Sequence, residues 1–377
     1  MIKRILYTLL IMFPVLASAQ INTDRVMAIG RNALYFEDYV LSIQYFNQVI
    51  NAKPYLSDPY FYRGLAKINL DDFQGAESDC SEAIERNPFV VSAYQVRGLA
   101  RIQQNNFAGA IEDYTKALEF DPENIGVWHN MALCRIRQED YKGAKNDLDK
   151  LIAISPRYTK AYLMRGEVDL KQKDTLAAEK DFGKAIEIDR YDADTWASRA
   201  ILRLQQQRYK DAEADLDHAI RLSTRNSGVY INRALARYHQ NNLRGAMSDY
   251  DIALDIDPNN FIGHYNRGLL RAQVGDDNRA IQDFNFVIEM EPDNMMAIFN
   301  RGLLLDQTGD YKGAIKDYST VINEYPNFLL GYQYRAQARR KIGDVKGADA
   351  DEFKVLKAQL DKQNGVDPNK QTADITE

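Results

Sequence analysis

The sequence predicts an all-α protein in which a helix–turn–helix unit of 34 residues is repeated ten times. Three observations predict this architecture: a regular spacing of prolines, two columns of small residues, and large apolar residues at helical spacing. The chain has 377 residues and ten prolines. Seven prolines lie at multiples of 34 residues from one another: Pro54, Pro88, Pro122, Pro156, Pro258, Pro292 and Pro326. Such a period is typical of a solenoid.

The period defines ten repeats without an insertion or a deletion. With Pro54 at position 32 of a repeat, the array covers residues 23–362. The repeats are 23–56, 57–90, 91–124, 125–158, 159–192, 193–226, 227–260, 261–294, 295–328 and 329–362. Position 8 is always glycine or alanine, and position 20 is alanine in every repeat but the first, which has Ser42. Two small columns allow two antiparallel helices to approach closely.

The large residues predict two amphipathic helices in each repeat. Position 4 is aromatic in seven repeats and position 24 in six, and the apolar residues around them recur at steps of three and four. In the third repeat the characteristic residues are Tyr94, Gly98, Ala110, Tyr114 and Ala117. A turn at positions 15 and 16, such as Asn105-Asn106, separates the helices. An Asp-Pro pair, such as Asp121-Pro122, ends the second helix.

Together with the proline at position 32, these columns resemble the tetratricopeptide repeat (TPR). The resemblance covers all ten repeats. It implies a right-handed superhelical solenoid whose inner surface is lined mainly by the first helix of each repeat, and it implies a partner bound along that surface. Repeats 5 and 6 depart from the pattern, because Arg190 and Thr224 stand where proline is expected.

Two charged columns distinguish this chain from the family pattern. Position 7 is arginine in eight repeats and position 23 is aspartate in nine. Because position 8 faces 20 and position 4 faces 24, position 7 should lie near position 23. We therefore expect eight structural ion pairs at the seam between paired helices. They are Arg63–Asp79, Arg97–Asp113, Arg165–Asp181, Arg199–Asp215, Arg233–Asp249, Arg267–Asp283, Arg301–Asp317 and Arg335–Asp351.

Alternatives to this pairing stay open at the sequence level. In repeat 4, Met131 replaces the arginine, and Arg135 or Arg165 could serve Asp147 instead. Pairing between neighbouring repeats also fits the columns. If the charges were solvated, each pair would contribute only about 0–1 kcal/mol.

The resemblance also indicates a candidate binding groove. In the family, positions 2, 5, 6, 9, 12 and 13 face inward, and positions 5, 9 and 12 are largely apolar here. The candidate groove residues are Phe61, Leu65, Ile68, Leu99, Ile102, Leu133, Leu163, Ile201, Ile231, Leu235, Tyr238, Tyr265, Leu269, Phe299 and Leu303. Such a groove suits a peptide segment with apolar anchors. Alternatively, positions 9 and 12 pack against the neighbouring repeat and line no groove.

The two ends of the chain differ from the array. Residues 1–19 combine Lys3 and Arg4 with an apolar run and a small-residue site, which predicts a secretory signal peptide. We therefore expect an exported protein, periplasmic or extracellular, without a transmembrane anchor after cleavage. The second helix of repeat 10 is predicted to be a polar cap, with Glu352 where other repeats carry an aromatic residue. Residues 363–377 are predicted to form a disordered polar tail.

The sequence contains no recognisable catalytic, metal or cofactor site. Its four histidines fall at four different repeat positions, which gives no metal-ligand spacing. A net charge of −6 and the predicted export disfavour a nucleic-acid partner. The sequence therefore predicts a non-enzymatic scaffold that binds a protein or peptide partner, possibly within a cell-envelope assembly. The alternative is a self-assembling, homo-oligomeric envelope protein, and the oligomeric state stays open.

Overall fold

The computed structural model describes residues 22–363. The predicted signal peptide, and all of the predicted tail except Gln363, lie outside this range. The described residues form twenty helices and no strand. In order they are α1 Thr23–Tyr35, α2 Tyr39–Ala52, α3 Asp58–Ile68, α4 Phe73–Arg86, α5 Val91–Gln103, α6 Phe107–Phe120, α7 Ile125–Arg137, α8 Tyr141–Ile154, α9 Thr159–Lys171, α10 Thr175–Ile188, α11 Ala193–Gln205, α12 Tyr209–Leu222, α13 Ser227–His239, α14 Leu243–Ile256, α15 Phe261–Gln273, α16 Asp277–Met290, α17 Met295–Thr308, α18 Tyr311–Glu324, α19 Leu329–Lys341 and α20 Val345–Gln363.

The helices pack as ten consecutive pairs, so the protein is an all-α solenoid. The chain divides into two compact halves, one ending at Arg190 and the other beginning at Tyr191. Within each half, the second helix of a repeat also packs against the first helix of the next repeat. The division falls at the first of the two repeat ends that lack proline. No helix in the described range is both long enough and apolar enough to cross a bilayer.

The turn between paired helices has the same backbone conformation in every repeat. Position 15 has a positive φ in all ten, although it is glycine only at Gly275, Gly309 and Gly343. The next residue usually caps the second helix, as where the Asp72 carboxylate accepts a hydrogen bond from the Gly75 backbone N–H at 2.9 Å. Seven repeats therefore hold a non-glycine residue in a left-handed conformation that costs about 1 kcal/mol.

Replacing one of these residues with glycine should stabilise the protein. Lys173 has a φ of 64°, so Lys173→Gly is expected to raise the free energy of unfolding by about 1 kcal/mol. Lys180→Gly is the matched control, because Lys180 is an exposed residue inside α10 and glycine there should lower stability by about 1 kcal/mol. Urea unfolding followed by circular dichroism measures both changes. Equal destabilisation by both substitutions would contradict a strained turn.

The small residues at position 8 allow aromatic rings at position 24 to pack directly against the first helix. A Cβ added to Gly166 would lie 2.6 Å from the ring of Phe182, which is fully buried. Repeats 4 and 6 instead combine alanine at position 8 with Leu148 and Leu216 at position 24. Repeats 2 and 7 are exceptions, since repeat 2 combines glycine with Cys80 and repeat 7 combines alanine with Tyr250. The side chain at position 24 is therefore usually large where position 8 is glycine and smaller where position 8 is alanine.

This packing predicts a rescue experiment. Gly166→Ala should destabilise the protein by about 1–3 kcal/mol, because the added methyl group overlaps the Phe182 ring. The double variant Gly166→Ala/Phe182→Leu recreates the pair found in repeats 4 and 6 and should recover part of that loss. Thermal unfolding of wild type, both single variants and the double variant measures the coupling. Additive losses would show that the two positions do not share this space.

The core is a series of clusters, each formed where one repeat meets the next. In one cluster, Tyr114 and Ala117 of repeat 3 pack with Val127, Met131 and Cys134 of repeat 4. The last of these stands at position 10, and position 10 is at most 5% exposed in repeats 2–10. This column, together with position 3, forms the seam between consecutive repeats.

The final helix is less polar on its outer face than the sequence predicts. Asp351 is buried by its ion pair, whereas Phe353, Leu356 and Leu360 are exposed. These three apolar residues follow helical spacing and therefore form one stripe on α20. The prediction of a polar cap was wrong in this respect, because the sequence does not show which face of α20 points outward.

Candidate functional site

The structure places all eight expected Arg–Asp pairs in contact. In each, the arginine Nη2 donates to the aspartate Oδ1 at 2.5–2.8 Å, and Nε donates to the same carboxylate. These eight aspartates are at most 5% exposed, while their arginines are half-buried. The paired hydrogen bonds to a desolvated carboxylate make these interactions stronger than surface ion pairs.

The third arginine nitrogen reaches the preceding repeat, which the sequence analysis missed. Arg233 Nη1 donates to Asp217 at 2.8 Å, and Arg97 Nη1 donates to the Ser81 hydroxyl at 3.1 Å. Both acceptors stand at position 25. The same contact is made to Asn47, Asp149, Asp251, Asn285 and Ser319. The available signal was the run of short polar residues in that column.

Two further contacts complete what we call the Arg–Asp network, meaning the residues at positions 7, 11, 23 and 25. A second arginine, at position 11, often reaches the same aspartate, as where Arg237 Nη1 donates to Asp249 at 2.8 Å. The position 7 guanidinium also lies over the aromatic ring at position 4, with Arg199 5.1 Å from the centroid of Trp196. Most of these buried carboxylates, such as Asp79, Asp113 and Asp249, therefore contact two cationic side chains.

Repeat 4 is the exception in this network. Arg135, rather than Arg165, pairs with Asp147, and its Nη1 donates a hydrogen bond to Asp147 Oδ1 at 2.7 Å. The other oxygen, Oδ2, is buried and has no hydrogen-bond partner among the described residues. Burial raises the pKa of Asp147 to about 7, although the charge of Arg135 opposes this rise. Because Met131 replaces the arginine, Asp147 lacks one of the donors that the other position 23 aspartates have, and we call this the defect in the network.

The defect predicts an unusual pH dependence of stability. Because the pKa of Asp147 is higher in the folded state than its unfolded value of about 4, this group's stabilising contribution is fully present below pH 4. The contribution is lost as the pH rises through 7, a change of roughly 2–4 kcal/mol. Met131→Arg should supply the missing donors and reduce this loss. Urea unfolding at pH 5 and pH 8 measures the difference.

Two variants serve as controls for this test. Asp147→Asn removes the titrating group, so its pH slope should also be smaller than that of wild type. Met164→Arg adds the same charge at a half-buried position outside the network and should leave the slope unchanged. Equal slopes in wild type, Met131→Arg and Asp147→Asn would contradict the assignment.

The candidate groove residues lie on the first helices, beside the seam. At position 9, most side chains are half-buried, and Ile201 and Leu269 are 39% and 40% exposed. At position 12, Ile102 and Tyr238 pack at the edges of core clusters while keeping part of their surface. Ile231 at position 5 differs, being only 7% exposed. Position 10, not position 9, therefore fills the seam.

Contacts between helices show which side of each half these residues occupy. First helices of consecutive repeats touch each other at α1–α3 and α3–α5 in the N-terminal half, and at α11–α13, α15–α17 and α17–α19 in the C-terminal half. No two second helices in the described range make a contact of similar extent. The first helices are therefore closer together than the second helices and line the inner side.

The histidines and cysteines of the described residues are not grouped into a metal site. His218 and His239 stack on Trp196 and Tyr209, and no group of three or more potential metal ligands occurs in the described range. Both cysteines are buried and free. Burial raises the pKa of the Cys80 thiol to about 12 and that of Cys134 to about 11, so neither is an activated nucleophile.

Comparison with known families agrees with this architecture. A model described as TPR repeat matches residues 98–134, and models described as tetratricopeptide repeat match 125–158, 159–192, 198–261 and 265–327. The fold defines an α-solenoid of paired helices, and the matches extend over both halves. The chain belongs to the tetratricopeptide repeat family.

Two solved structures show the same fold. A tetratricopeptide repeat protein from Parabacteroides merdae is 20% identical, with a TM-score of 0.53, over 66% of this chain and 98% of its own. The C-terminal part of a TPR repeat-containing protein from Cytophaga hutchinsonii is 17% identical, with a TM-score of 0.51, over 63% and 97% of the two chains. No curated protein matches the sequence.

Proposed function

We propose that this protein is a non-catalytic scaffold that binds a partner protein or peptide segment on the inner face of its first helices. One observation carries the proposal. Apolar side chains at positions 5, 9 and 12 keep exposed surface, while the adjacent position 10 is fully used by the seam. Exposed apolar side chains that recur along one face are typical of interaction surfaces.

The rigidity of the array supports this role. The Arg–Asp network connects paired helices, and seven of its position 7 arginines also connect their repeat to the preceding one, as the contacts of Arg233 with Asp249 and Asp217 illustrate. A surface held by such contacts loses little conformational entropy when a ligand binds. Apolar anchors on a rigid face therefore suit a segment that becomes ordered only in the complex.

The proposed place of action is the periplasm or the cell exterior, with a cell-envelope assembly as the proposed setting. The support comes from residues 1–19, which have the pattern of a secretory signal peptide. Sequencing the N-terminus of the protein recovered from outside the cytoplasm tests this proposal. A chain that begins at Gln20 would agree with cleavage after Ala19, and recovery only from the cytoplasm would contradict export.

The scaffold proposal predicts that charged residues on the first-helix face abolish partner binding. Leu235→Glu and Leu269→Glu should each prevent capture of the partner from a cell-envelope extract, because each places a charge in the apolar contact. Ile252→Glu is the matched control, since Ile252 is a similarly exposed apolar residue on the second helix α14. Capture followed by mass spectrometry measures the loss. A partner retained by all three variants would remove this face from the binding site.

Self-association is the second candidate function, and the stripe on α20 favours it. Phe353, Leu356 and Leu360 are exposed on the last second helix, whereas an interior second helix within each half packs against the first helix of the next repeat. A scaffold is expected to give a concentration-independent monomer in light scattering. An oligomer that dissociates in Leu356→Glu would instead support self-association.

A further inference from the structure

The last three repeats carry apolar residues at a position that is polar or small elsewhere. Position 2 is Ile262, Met296 and Leu330 in repeats 8–10, and these side chains are 50%, 61% and 47% exposed. In the seven earlier repeats the same position is Asp24, Asp58, Ser92, Gly126, Lys160, Asp194 and Gly228. The fold therefore does not require an apolar residue there. Exposed apolar residues without a packing role indicate a contact surface.

One cavity lies at the centre of this band, between the two helices of repeat 9 and the loop that precedes them. Its volume is about 330 Å³, and its apolar lining is formed by Met295, Met296, Phe299, Val321, Tyr325 and Phe328. The ring of Phe299 is held edge-on to Phe328 at 5.0 Å and to Tyr334 at 5.8 Å. One wall is therefore rigid, while the two methionines can adapt to different side chains. The volume is within the range of ligand pockets.

The surroundings of the cavity are acidic. Asp293 contributes directly to its lining, and Glu291 lies two residues before it in the same loop. Glu324 ends α18 next to the lining residue Tyr325. The segments 280–300 and 317–334, which contain every lining residue, include no lysine or arginine. A ligand with positive charge is therefore favoured at this rim.

We propose that this cavity, which we call the rim pocket, binds a partner segment with a large apolar side chain next to lysine or arginine. The proposal rests on the scaffold function and assigns it a second contact, beyond positions 9 and 12. The apolar side chain enters the space among Met296, Phe299 and Phe328, and the basic residue lies near Asp293. A second copy of this acidic chain, or an anionic membrane, has the wrong charge for this rim.

Peptide selection on the mature protein tests the proposal. A random dodecapeptide display library is selected on wild type, and the enriched peptides are synthesised and measured by fluorescence anisotropy. We expect enrichment of an apolar residue adjacent to lysine or arginine. Met296→Ser should weaken binding on the order of tenfold. Because the Met296 side chain is exposed, this substitution should leave the protein folded. Asp293→Asn should weaken binding about threefold at low salt and less at high salt.

Ile252→Ser is the matched control, since Ile252 is an exposed apolar residue on the second helix α14, and it should retain the selected peptides. Leu269→Ser instead tests the first-helix face at position 9. The absence of enriched peptides, a lack of basic residues among them, or equal binding to Met296→Ser would overturn the rim pocket. Peptides lost in Leu269→Ser but kept by Met296→Ser would overturn the pocket while supporting the first-helix face. Light scattering and phosphatidylglycerol vesicle binding complete the test. Self-association or vesicle binding that disappears in Met296→Ser would also overturn it.

Discussion

The arginine at position 7 connects three parts of the array through one planar group. Arg233 donates two hydrogen bonds to Asp249 in its own repeat, a third to Asp217 in the preceding repeat, and lies over the ring of Tyr230. The aspartate is almost completely buried, and an unpaired buried carboxylate would cost several kcal/mol. The spacing of paired helices and the spacing of consecutive repeats therefore depend on the same side chain.

This constraint also determines which surfaces remain for binding. The polar side chains near the seam are hydrogen-bonded to one another, and the side chain at position 10 is buried against the preceding repeat. The first helices keep accessible apolar side chains, at position 9 along the inner face and at Met296 and its neighbours on the rim. Because the network holds these residues on packed helices, the two surfaces are presented with little flexibility of their own.

Periodicity explains which features the sequence could predict. The pairing of positions 7 and 23 followed from column geometry, because every residue meets the same neighbours ten times. The contact at position 25 was missed, since Asn47, Ser81 and Asp149 share only a short polar side chain. The left-handed residue at position 15 was recognisable from glycine in three repeats, but Lys173 and Gln207 adopt the same conformation without that signal. The apolar stripe of α20 was hidden among charged residues.

The sequence by itself determined the repeat length, the register and the helix pairs, and it predicted the aspartate that each position 7 arginine contacts. These features depend on residues within one repeat, and ten copies make their pattern unambiguous. Only the tertiary structure decided that position 10 forms the seam while position 9 stays accessible, that Asp147 lacks a second donor, and that a cavity opens beside Met296. Adjacent residues on a helix point in directions about 100° apart. Which of positions 9 and 10 is buried therefore depends on how closely the neighbouring repeat packs.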